Sequence, residues 1–360
     1  MMNRKKLLPA WLVILIDISI IAVYTIGFYG IYYLTPRQLE SNNIKTNQGE
    51  TSVKSSETAT GTQTETGSET GSETETETGT DTETGTDTET ENSTGTSPGT
   101  TENLATKFAD YFTDTVVSTS STYSSKNISV TVDKQTEGAG SSMVTYYVAD
   151  IYIADIKCLQ SGFADDTYGI GYSDTVLNMD ESLNAILAMN GDYYGNGGNG
   201  VVIRNGEVYR SNSSSSDVCV LYYDGTMKTF SAQEFDVNQA IEDGAWQAWC
   251  FGPELLDDTG SSMTDFTADG HVKQTNPRSA IGYYEPGHYC MVVVDGRQSG
   301  YSEGLNLSQL SSLFEELGCT SAYNMDGGKS SSMTFDDALT NQPSDGGREV
   351  SDCILIKEVE

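Results

Sequence analysis

The hydrophobic pattern divides the chain into three parts. Residues 7–34 are almost wholly apolar and are interrupted only by a few residues such as Pro9 and Asp17. At about 1.5 Å of rise per residue, a helix of this length can cross a hydrocarbon core of roughly 30 Å. Apolar residues are then rare from 35 to 102, and short apolar runs return from 103 onward. The pattern predicts a transmembrane helix (7–34), a linker (35–102) and one folded domain (103–360).

The charges beside the apolar stretch predict its orientation. Arg4, Lys5 and Lys6 precede it, and positive residues next to a membrane span tend to stay in the cytoplasm. We therefore expect a cytoplasmic tail (1–6), a single-pass anchor in the cell membrane and an extracellular carboxyl-terminal domain. A cleaved signal peptide is the alternative, but its apolar region is usually about 7–15 residues and ends at a small-x-small site that is not evident here.

The linker is acidic and repetitive. Glu-Thr, Gly-Thr and Asp-Thr units repeat over residues 51–101, and without apolar side chains no core offsets the entropy of ordering them. This composition predicts a disordered tether that spaces the domain from the membrane. The whole chain has 19 Lys and Arg against 52 Asp and Glu, a net charge of −33. Such a balance argues against nucleic acid as a partner, since nucleic acids bind clustered cations.

The remaining residues predict a sheet-rich fold. Alternating, β-branched and aromatic runs at 127–132, 143–153, 218–223, 289–294 and 353–356 are typical of strands. Helical spacing is predicted at 102–118, 182–188 and 307–317, where Asn306 and Gln309 form a capping box and Gly318 ends the last helix. The fold class is therefore α+β: a single mixed domain with a few packing helices.

The residues suited to metals and nucleophilic triads are few. The six cysteines all lie in the folded part, where an extracellular location would permit disulfides, but their pairing stays open. There is no CxxC spacing, and neither His271 nor His288 belongs to a recognisable motif, so a zinc site or a Ser-His-Asp triad is not expected. We predict no cofactor; so acidic a domain leaves room for a calcium ion, although no EF-hand-like spacing occurs.

Polar clusters interrupt the predicted elements. They read Asn190-Gly-Asp-Tyr-Tyr194, Phe251-Gly-Pro-Glu-Leu255, Asn276-Pro-Arg-Ser-Ala-Ile-Gly282, Asp295-Gly-Arg297 and Asn324-Met-Asp-Gly-Gly-Lys-Ser-Ser-Ser-Met333. Each is compatible with ordinary turn chemistry. Glycine-rich loops also let the backbone approach a ligand closely and can present successive N–H groups to an anion.

Taken together and in this order, the clusters resemble the phosphodiester glycosidase family over roughly residues 127–357. The family usually has a third glycine where this chain has Lys329, a threonine at Ser279 and a leucine at Met325. Lys329 could either occlude the backbone nest or add a cation for phosphate.

The resemblance implies the chemistry of a sugar-1-phosphodiester. Arg278 is expected to clamp the phosphate, with Lys329, Arg297 and Arg348 as further cations, because guanidinium groups bind two phosphate oxygens at once. Asp326 and Asp192 are the predicted catalytic carboxylates, acting on an anomeric carbon that gains positive charge. The predicted substrate-binding residues are Asn190, Gly191, Tyr193, Tyr194, Asp295, Arg297, Asn324, Gly327, Gly328, Lys329 and Ser331.

The implied function is an extracellular hydrolase. Its expected substrate is a sugar-1-phosphodiester, such as an N-acetylglucosamine-1-phosphate unit, in a phosphodiester-linked surface polysaccharide or teichoic acid. Two alternatives stay open: a non-catalytic carbohydrate-binding or cell-wall scaffold module, and a sugar-phosphate transferase of exopolysaccharide biosynthesis.

Overall fold

The computed structural model describes Leu15 and residues 18–27, 36–48 and 103–359. The predicted membrane span, 7–34, and the predicted linker lie largely outside these ranges. Among the described residues, no helix is both long enough and apolar enough to cross a bilayer.

Short helices and many strands make up the described chain. The helices are α1 (which includes residues 18–27), α2 (Leu104–Lys107), α3 (Val176–Leu183), α4 (Val237–Glu242), α5 (Gly270–Lys273) and α6 (Leu307–Glu316). The strands are β1 (Arg37–Gln38), β2 (Ile44–Lys45), β3 (Val117–Ser118), β4 (Thr122–Ser124), β5 (Ile128–Glu137), β6 (Val144–Ile153), β7 (Leu159–Phe163), β8 (Gly169–Ile170), β9 (Leu187–Asn190), β10 (Val201–Arg204), β11 (Glu207–Ser211), β12 (Val218–Tyr222), β13 (Met227–Phe230), β14 (Ala245–Trp249), β15 (Arg278–Glu285), β16 (His288–Val294), β17 (Ser321–Asn324), β18 (Met333–Phe335), β19 (Ala338–Leu339) and β20 (Asp352–Ile356).

The strands pair into antiparallel sheets. In the described ranges these sheets run β17-β15-β16-β6-β5-β4-β3, β13-β12-β14-β10-β11-β2, β19-β18-β9-β20-β7 and β1-β8. The predicted strands at 127–132, 143–153, 218–223, 289–294 and 353–356 correspond to β5, β6, β12, β16 and β20, and β5 pairs with β6 in an antiparallel hairpin. The sheet-rich α+β prediction is therefore confirmed.

The main core lies between the sheets. Ile128 and Val130 of β5 alternate with partly exposed neighbours and point into it, as the period of two in a strand requires. Apolar residues of β9, β12, β16 and β20 contribute to the same cluster. Helix α6 covers the opposite face of the β15-β16 pair through Leu310 and Phe314, while α3 covers the sheet that contains β9. The helices therefore close the outer faces of packed sheets.

Helix α6 confirms the prediction for 307–317. The Asn306 side chain accepts a hydrogen bond from the Gln309 amide at 2.9 Å, and the Gln309 side chain accepts from the Asn306 amide at 3.0 Å. These two bonds satisfy donors that the first turn leaves unpaired. Leu307, Leu310 and Phe314 form the buried face.

Two other helix predictions are largely wrong. Over 102–118 the helix ends at Lys107, because Phe108 and Tyr111 turn onto Tyr152 at ring-centroid distances of 5.2 and 3.7 Å. The β-branched residues that follow form β3 instead. Over 182–188, Asn184 adopts a left-handed conformation that ends α3, and the next residues enter β9, which is buried between β18 and β20. In both segments tertiary packing overrides the local spacing.

The start of the predicted linker is also wrong. Residues 36–48 lie on the folded part, where β1 pairs with β8 and β2 pairs with β11. The expected tether therefore cannot begin at residue 35.

All six cysteines lie in the described ranges as free thiols. The sulfur atoms of Cys290 and Cys319 lie 3.6 Å apart.

Asp180 supplies a test of the packed α3 face. Its side chain is fully buried, and burial raises its pKa to about 7. Because the folded state then holds a proton that the unfolded state has released, this residue's contribution should lower stability as the pH rises from about 4 to 7. We expect the free energy of unfolding of Asp180→Asn to rise relative to that of the wild type as the pH increases from 5 to 8. Urea unfolding of both proteins at each pH is the measurement. Asp110→Asn, at an exposed site, is the control; parallel profiles for Asp180→Asn and the wild type would contradict this assignment.

Candidate active site

The Asn190 side chain joins three of the polar clusters. It lies fully buried at the end of β9, and its amide nitrogen donates to the Asp326 carbonyl at 2.7 Å. Its oxygen accepts from the Ser279 hydroxyl at 2.7 Å and from the Ser332 amide at 3.2 Å. An amide side chain has both donors and acceptors, so one asparagine can bind several loops at once. Residues that are far apart in the sequence are thereby brought to one place.

Backbone contacts tighten the same junction. The Asp326 amide donates to the Gly191 carbonyl at 3.3 Å, and the Gly328 amide donates to the Pro277 carbonyl at 3.0 Å. A side chain at Gly327 would place its Cβ only 2.8 Å from the Pro277 carbonyl oxygen. Glycine is needed there because the two loops approach too closely for any side chain.

Asp326 combines burial with a fixed orientation. Only 7% of the residue is exposed. Its Oδ2 accepts from the Ser330 hydroxyl at 2.5 Å and from an Arg348 guanidinium nitrogen at 2.6 Å. Burial raises the pKa of Asp326 above its ordinary value, while the hydrogen bond from Ser330 and the charge of Arg348 pull it down. The carboxylate is thus held in place by neighbours that also stabilise its ionised form.

Two adjoining cavities open at this junction. One, of about 440 Å³, contains Asp326 and the glycine pair and is lined by Phe251, His271, Val272, Gln274, Thr275, Asn276, Arg278, Arg297, Asp326, Gly327 and Gly328. The other, of about 410 Å³, includes Asp192, Tyr193, Tyr194, Arg210 and Cys250 in its wall. Phe251 and Val272 line both cavities, so the two form neighbouring parts of one cleft.

Two guanidinium groups line the cavity that contains Asp326. Arg297 is exposed and donates to the Asn276 side chain at 2.7 Å. Arg278 is buried, and it donates to the carbonyls of Leu305, Val272 and Gln274 at 2.8, 2.6 and 2.5 Å. Burial, with a smaller effect from the charge of Arg297, lowers the pKa of Arg278 to about 10. Arg278 therefore shapes the loop wall with most of its donors, and its role as a phosphate clamp stays a prediction.

Asp192 lies in a buried charge cluster. Its Oδ1 accepts from Arg204 at 2.9 Å and its Oδ2 accepts from the Cys250 amide at 2.8 Å. Arg204 also contacts Asp352 at 2.8 Å, and all three side chains are almost completely buried. Burial, together with the charge of Asp192, raises the pKa of Asp352 to about 7, against the lowering effect of Arg204. Asp192 lines the cleft, but these contacts hold it in the wall; its catalytic role stays a prediction.

The two predicted tyrosines have different surroundings. Tyr193 is partly exposed, and the Arg348 guanidinium carbon lies 5.0 Å from its ring centroid. Tyr194 is buried in an aromatic cluster, stacked on Tyr168 at 5.3 Å between ring centroids. Tyr193 is therefore the one of the pair whose ring can meet a ligand.

Other predicted binding residues lie outside the walls of the two cavities. Asp295 accepts from the Asn341 side chain and the Tyr301 hydroxyl, each at 2.8 Å. Asn324 donates to the Gly252 carbonyl at 2.8 Å. The Lys329 ammonium group pairs with Asp345 at 2.8 Å. Gly191, Ser331 and these three residues do not belong to the lining of either cavity among the described residues.

Sequence reasoning missed several members of the site. The motifs predict Ser331 as a binding residue, whereas Ser330 contacts Asp326; nothing in a run of three serines distinguishes the two. Arg204 and Asp352 did give a signal: each is a charged residue beside an apolar strand run, where a buried charge requires a partner. Phe251 and His271 line the cleft, but only the tertiary fold brings them there, and no local sequence signal indicates it.

The domain has an α+β fold, and one cavity in it is lined by a carboxylate and two guanidinium groups. Residues 183–357, just under half of the chain, match the family described as phosphodiester glycosidase. The resemblance drawn from the motifs is therefore confirmed for this part of the chain.

A curated protein is similar to part of the chain. The chain is 31% identical over 196 residues to the SPbeta prophage-derived uncharacterized protein YomE of Bacillus subtilis (strain 168). The aligned region covers 52% of this chain and 30% of the relative. The chain thus spans less than a third of that relative.

Solved structures are similar as well. The catalytic domain of zebrafish N-acetylglucosamine-1-phosphodiester alpha-N-acetylglucosaminidase, auto-inhibited by its pro-peptide, aligns with a TM-score of 0.52 and 20% identity over 64% of this chain and 84% of that one. A hypothetical protein from Synechocystis aligns with a TM-score of 0.49 and 13% identity over 64% of this chain and 62% of that one. The zebrafish match shows a shared fold.

Arg204 provides a test of the buried cluster. Replacing it with methionine would leave Asp192 and Asp352 buried without their cation, which typically costs about 3–5 kcal/mol. We expect Arg204→Met to lower the free energy of unfolding in urea by that amount, and Asp352→Asn added to it to recover part of the loss. Lys126→Met, at an exposed position, should change stability by less than about 0.5 kcal/mol. A wild-type unfolding midpoint for Arg204→Met would contradict the account.

Proposed function

We propose that this domain hydrolyses a sugar-1-phosphodiester, releasing the free sugar and a phosphomonoester. The observation that carries the proposal is the shared cavity: the Asp326 carboxylate and the Arg278 and Arg297 guanidinium groups line the same space of about 440 Å³. A phosphodiester needs cations, and the neighbouring sugar carbon needs a carboxylate.

The phosphate is proposed to bind at Arg297 and the glycine pair. Arg297 is exposed to the cavity, and its guanidinium nitrogens lie 3.2 Å from the position that a Cβ of Gly328 would occupy. A cation above a glycine backbone leaves room for phosphate oxygens beside N–H donors. Arg278 adds positive charge to the same wall, although its donors mainly hold the 272–274 loop and Leu305. We therefore assign the main phosphate contact to Arg297 and a supporting one to Arg278.

Asp326 is proposed to act at the anomeric carbon. The bond from that carbon to the phosphate oxygen breaks, water supplies the hydroxyl group of the sugar, and the water proton goes to the phosphate or to solvent. Asp326 stabilises the positive charge on the sugar or activates the water. Ser330 and Arg348 fix its orientation, and pre-positioned groups lower the barrier more than mobile ones. Asp192 is proposed to shape the adjoining cavity, where Tyr193 faces the sugar ring.

Lys329 bears on the non-catalytic alternative. Its ammonium group is held by Asp345 at 2.8 Å, and it does not line either cavity among the described residues. This position supports an open glycine pair and favours a catalytic domain over a glycan-binding module that lost its activity.

The biological setting is proposed on the sequence alone. The apolar stretch 7–34 and the charges before it favour a membrane-anchored protein with an extracellular domain. The substrate would then be a surface polysaccharide or teichoic acid with sugar-1-phosphate linkages. A sugar-phosphate transferase would instead pass the sugar to an acceptor alcohol, and product analysis with an added acceptor distinguishes it from a hydrolase.

Asp326→Asn provides the direct test of the mechanism. The amide keeps the shape of the carboxylate but loses its charge and basicity, so we expect kcat to fall by at least about a hundredfold. Release of free sugar and phosphomonoester from a panel of sugar-1-phosphodiesters is the measurement. Lys228→Met, at an exposed position outside the cleft, is the control. Turnover that persists in a folded Asp326→Asn protein would remove Asp326 from the mechanism.

Arg348 should set the pH dependence of the reaction. Its positive charge lowers the pKa of Asp326 against the effect of burial, so Arg348→Met should raise that pKa further. If the ionised carboxylate is the active form, the acid limb of kcat/KM should move to higher pH in this variant. The measurement is a pH–rate profile from pH 4 to pH 9, with Lys228→Met as the control. An unmoved acid limb with reduced kcat would show that Arg348 acts through structure alone.

A further inference from the structure

Residues 36–48 form a segment that we call the strap. It pairs with the folded domain at two separate strands: Arg37 and Gln38 align with β8, and Ile44 and Lys45 align with β11. Backbone bonds extend beyond these pairs, from the Leu39 amide to the Tyr168 carbonyl at 3.0 Å and from the Thr46 amide to the Gly206 carbonyl at 3.0 Å. Added strands of this kind bind mainly through main-chain hydrogen bonds.

Side chains anchor the strap at both ends. Leu39 packs on an aromatic and aliphatic cluster that comprises Phe163, Tyr168, Tyr194, Val202 and Tyr209. Thr46 is only 4% exposed, and its hydroxyl donates to the Gly206 carbonyl at 3.2 Å. Lys45 pairs with Glu207 at 2.8 Å, although this contact is largely exposed and contributes little. The buried contacts of Leu39 and Thr46 therefore give the strap most of its specific attachment.

The surface beneath the strap is shaped to receive it. A Cβ at Gly169 would lie 2.5 Å from the Arg37 carbonyl oxygen, and a Cβ at Gly244 would lie 2.4 Å from the Asn47 carbonyl oxygen. Distances this short exclude any side chain at either glycine while the strap is bound. Glycines on the domain thus allow close approach of a second backbone.

We propose that the domain has a binding groove for its own residues 37–48. Contacts in this groove hold the strap on the domain without the covalent connection through residues 49–102. Both ends of that acidic connection, Gln48 and Asn103, then belong to the same folded unit. The length of the acidic stretch therefore does not determine how far the domain lies from residues 7–34. A cut within it should leave two fragments that stay together.

The strap itself does not line the candidate active site. None of the described strap residues lines the cavity with Asp326 or the cavity with Asp192. Arg37, Leu39, Glu40 and Asn42 line a further cavity of about 850 Å³, which borders the cavity with Asp192 at Asn196, Gly197 and Arg210. The proposal does not rest on catalytic activity, and its test needs no substrate.

The test uses the full chain with an N-terminal affinity tag and a specific protease sequence placed within residues 60–90. The protein is purified in detergent, captured through the tag, cut to completion and washed. We expect the C-terminal fragment, which carries the whole domain, to remain on the resin with the N-terminal fragment. Release of a folded C-terminal fragment from the unmodified strap would overturn the proposal.

A strap variant makes the result specific. Leu39→Asp with Thr46→Asp places one charge at the half-buried anchor and one at the buried anchor, and retention of the C-terminal fragment after cutting should fall at least about tenfold, equivalent to 1.4 kcal/mol. The matched control, Gln38→Asp with Asn43→Asp, adds the same charges at exposed strap positions and should retain the fragment as the wild type does. Circular dichroism of the released fragment checks that the domain stays folded. Equal retention in both double variants would mean that other contacts, or the detergent, hold the fragments together.

Discussion

The buried side chain of Asn190 is the constraint on which the candidate site depends. Its amide nitrogen and oxygen contact Ser279, Asp326 and Ser332, which lie 89, 136 and 142 residues further along the chain. An aspartate would lose the donor to the Asp326 carbonyl, and a leucine would leave buried backbone groups without partners. Asn190 therefore positions Asp326, the proposed catalytic residue, through a contact with its main chain. Asn190 can do this without contacting a ligand itself.

Charge placement explains why so acidic a protein can offer an anion site. The whole chain has a net charge of −33, but the guanidinium groups in and around the cleft have different partners. Arg204 is fully buried, and the attraction of Asp192 and Asp352 outweighs burial to raise its pKa above the ordinary value. Arg348 is shared between Asp326 and Tyr193. Arg297 contacts a neutral asparagine, so its charge is the one best placed to meet a phosphate. Local partners, more than net charge, decide what the cleft can bind.

The sequence predicted the elements whose local signals agree with their packing. Helix α6 has a capping box and an apolar face that packs into the core, and the first half of β5 alternates between buried and half-buried residues, as the period of two predicts. The helix predicted over 102–118 failed because aromatic contacts to Tyr152, distant in sequence, decide the path of Phe108 and Tyr111. Within the site, the motifs indicated the family and included Asp326, which lines the cavity, while its catalytic role stays a prediction. The motifs could not show that Arg297 is exposed whereas backbone carbonyls bind Arg278. The carbonyls of Leu305 and Val272 reach Arg278 only through the tertiary fold.

The strap and the site meet through one strand, β11. Its residues Glu207 and Val208 pair with β2 of the strap, and its residue Arg210 donates to the carbonyls of Gly197 and Gly200 at 2.7 and 3.2 Å. The glycine-rich loop from Gly195 to Gly200 has few side chains that could anchor it, so a buried guanidinium supplies the hydrogen bonds that the loop cannot make for itself. Gly197 of this loop lines both the cavity beside the strap and the cavity with Asp192. The strand that pairs with the strap therefore also supports one wall of the cleft. Hydrogen bonds connect the strap and the site through β11.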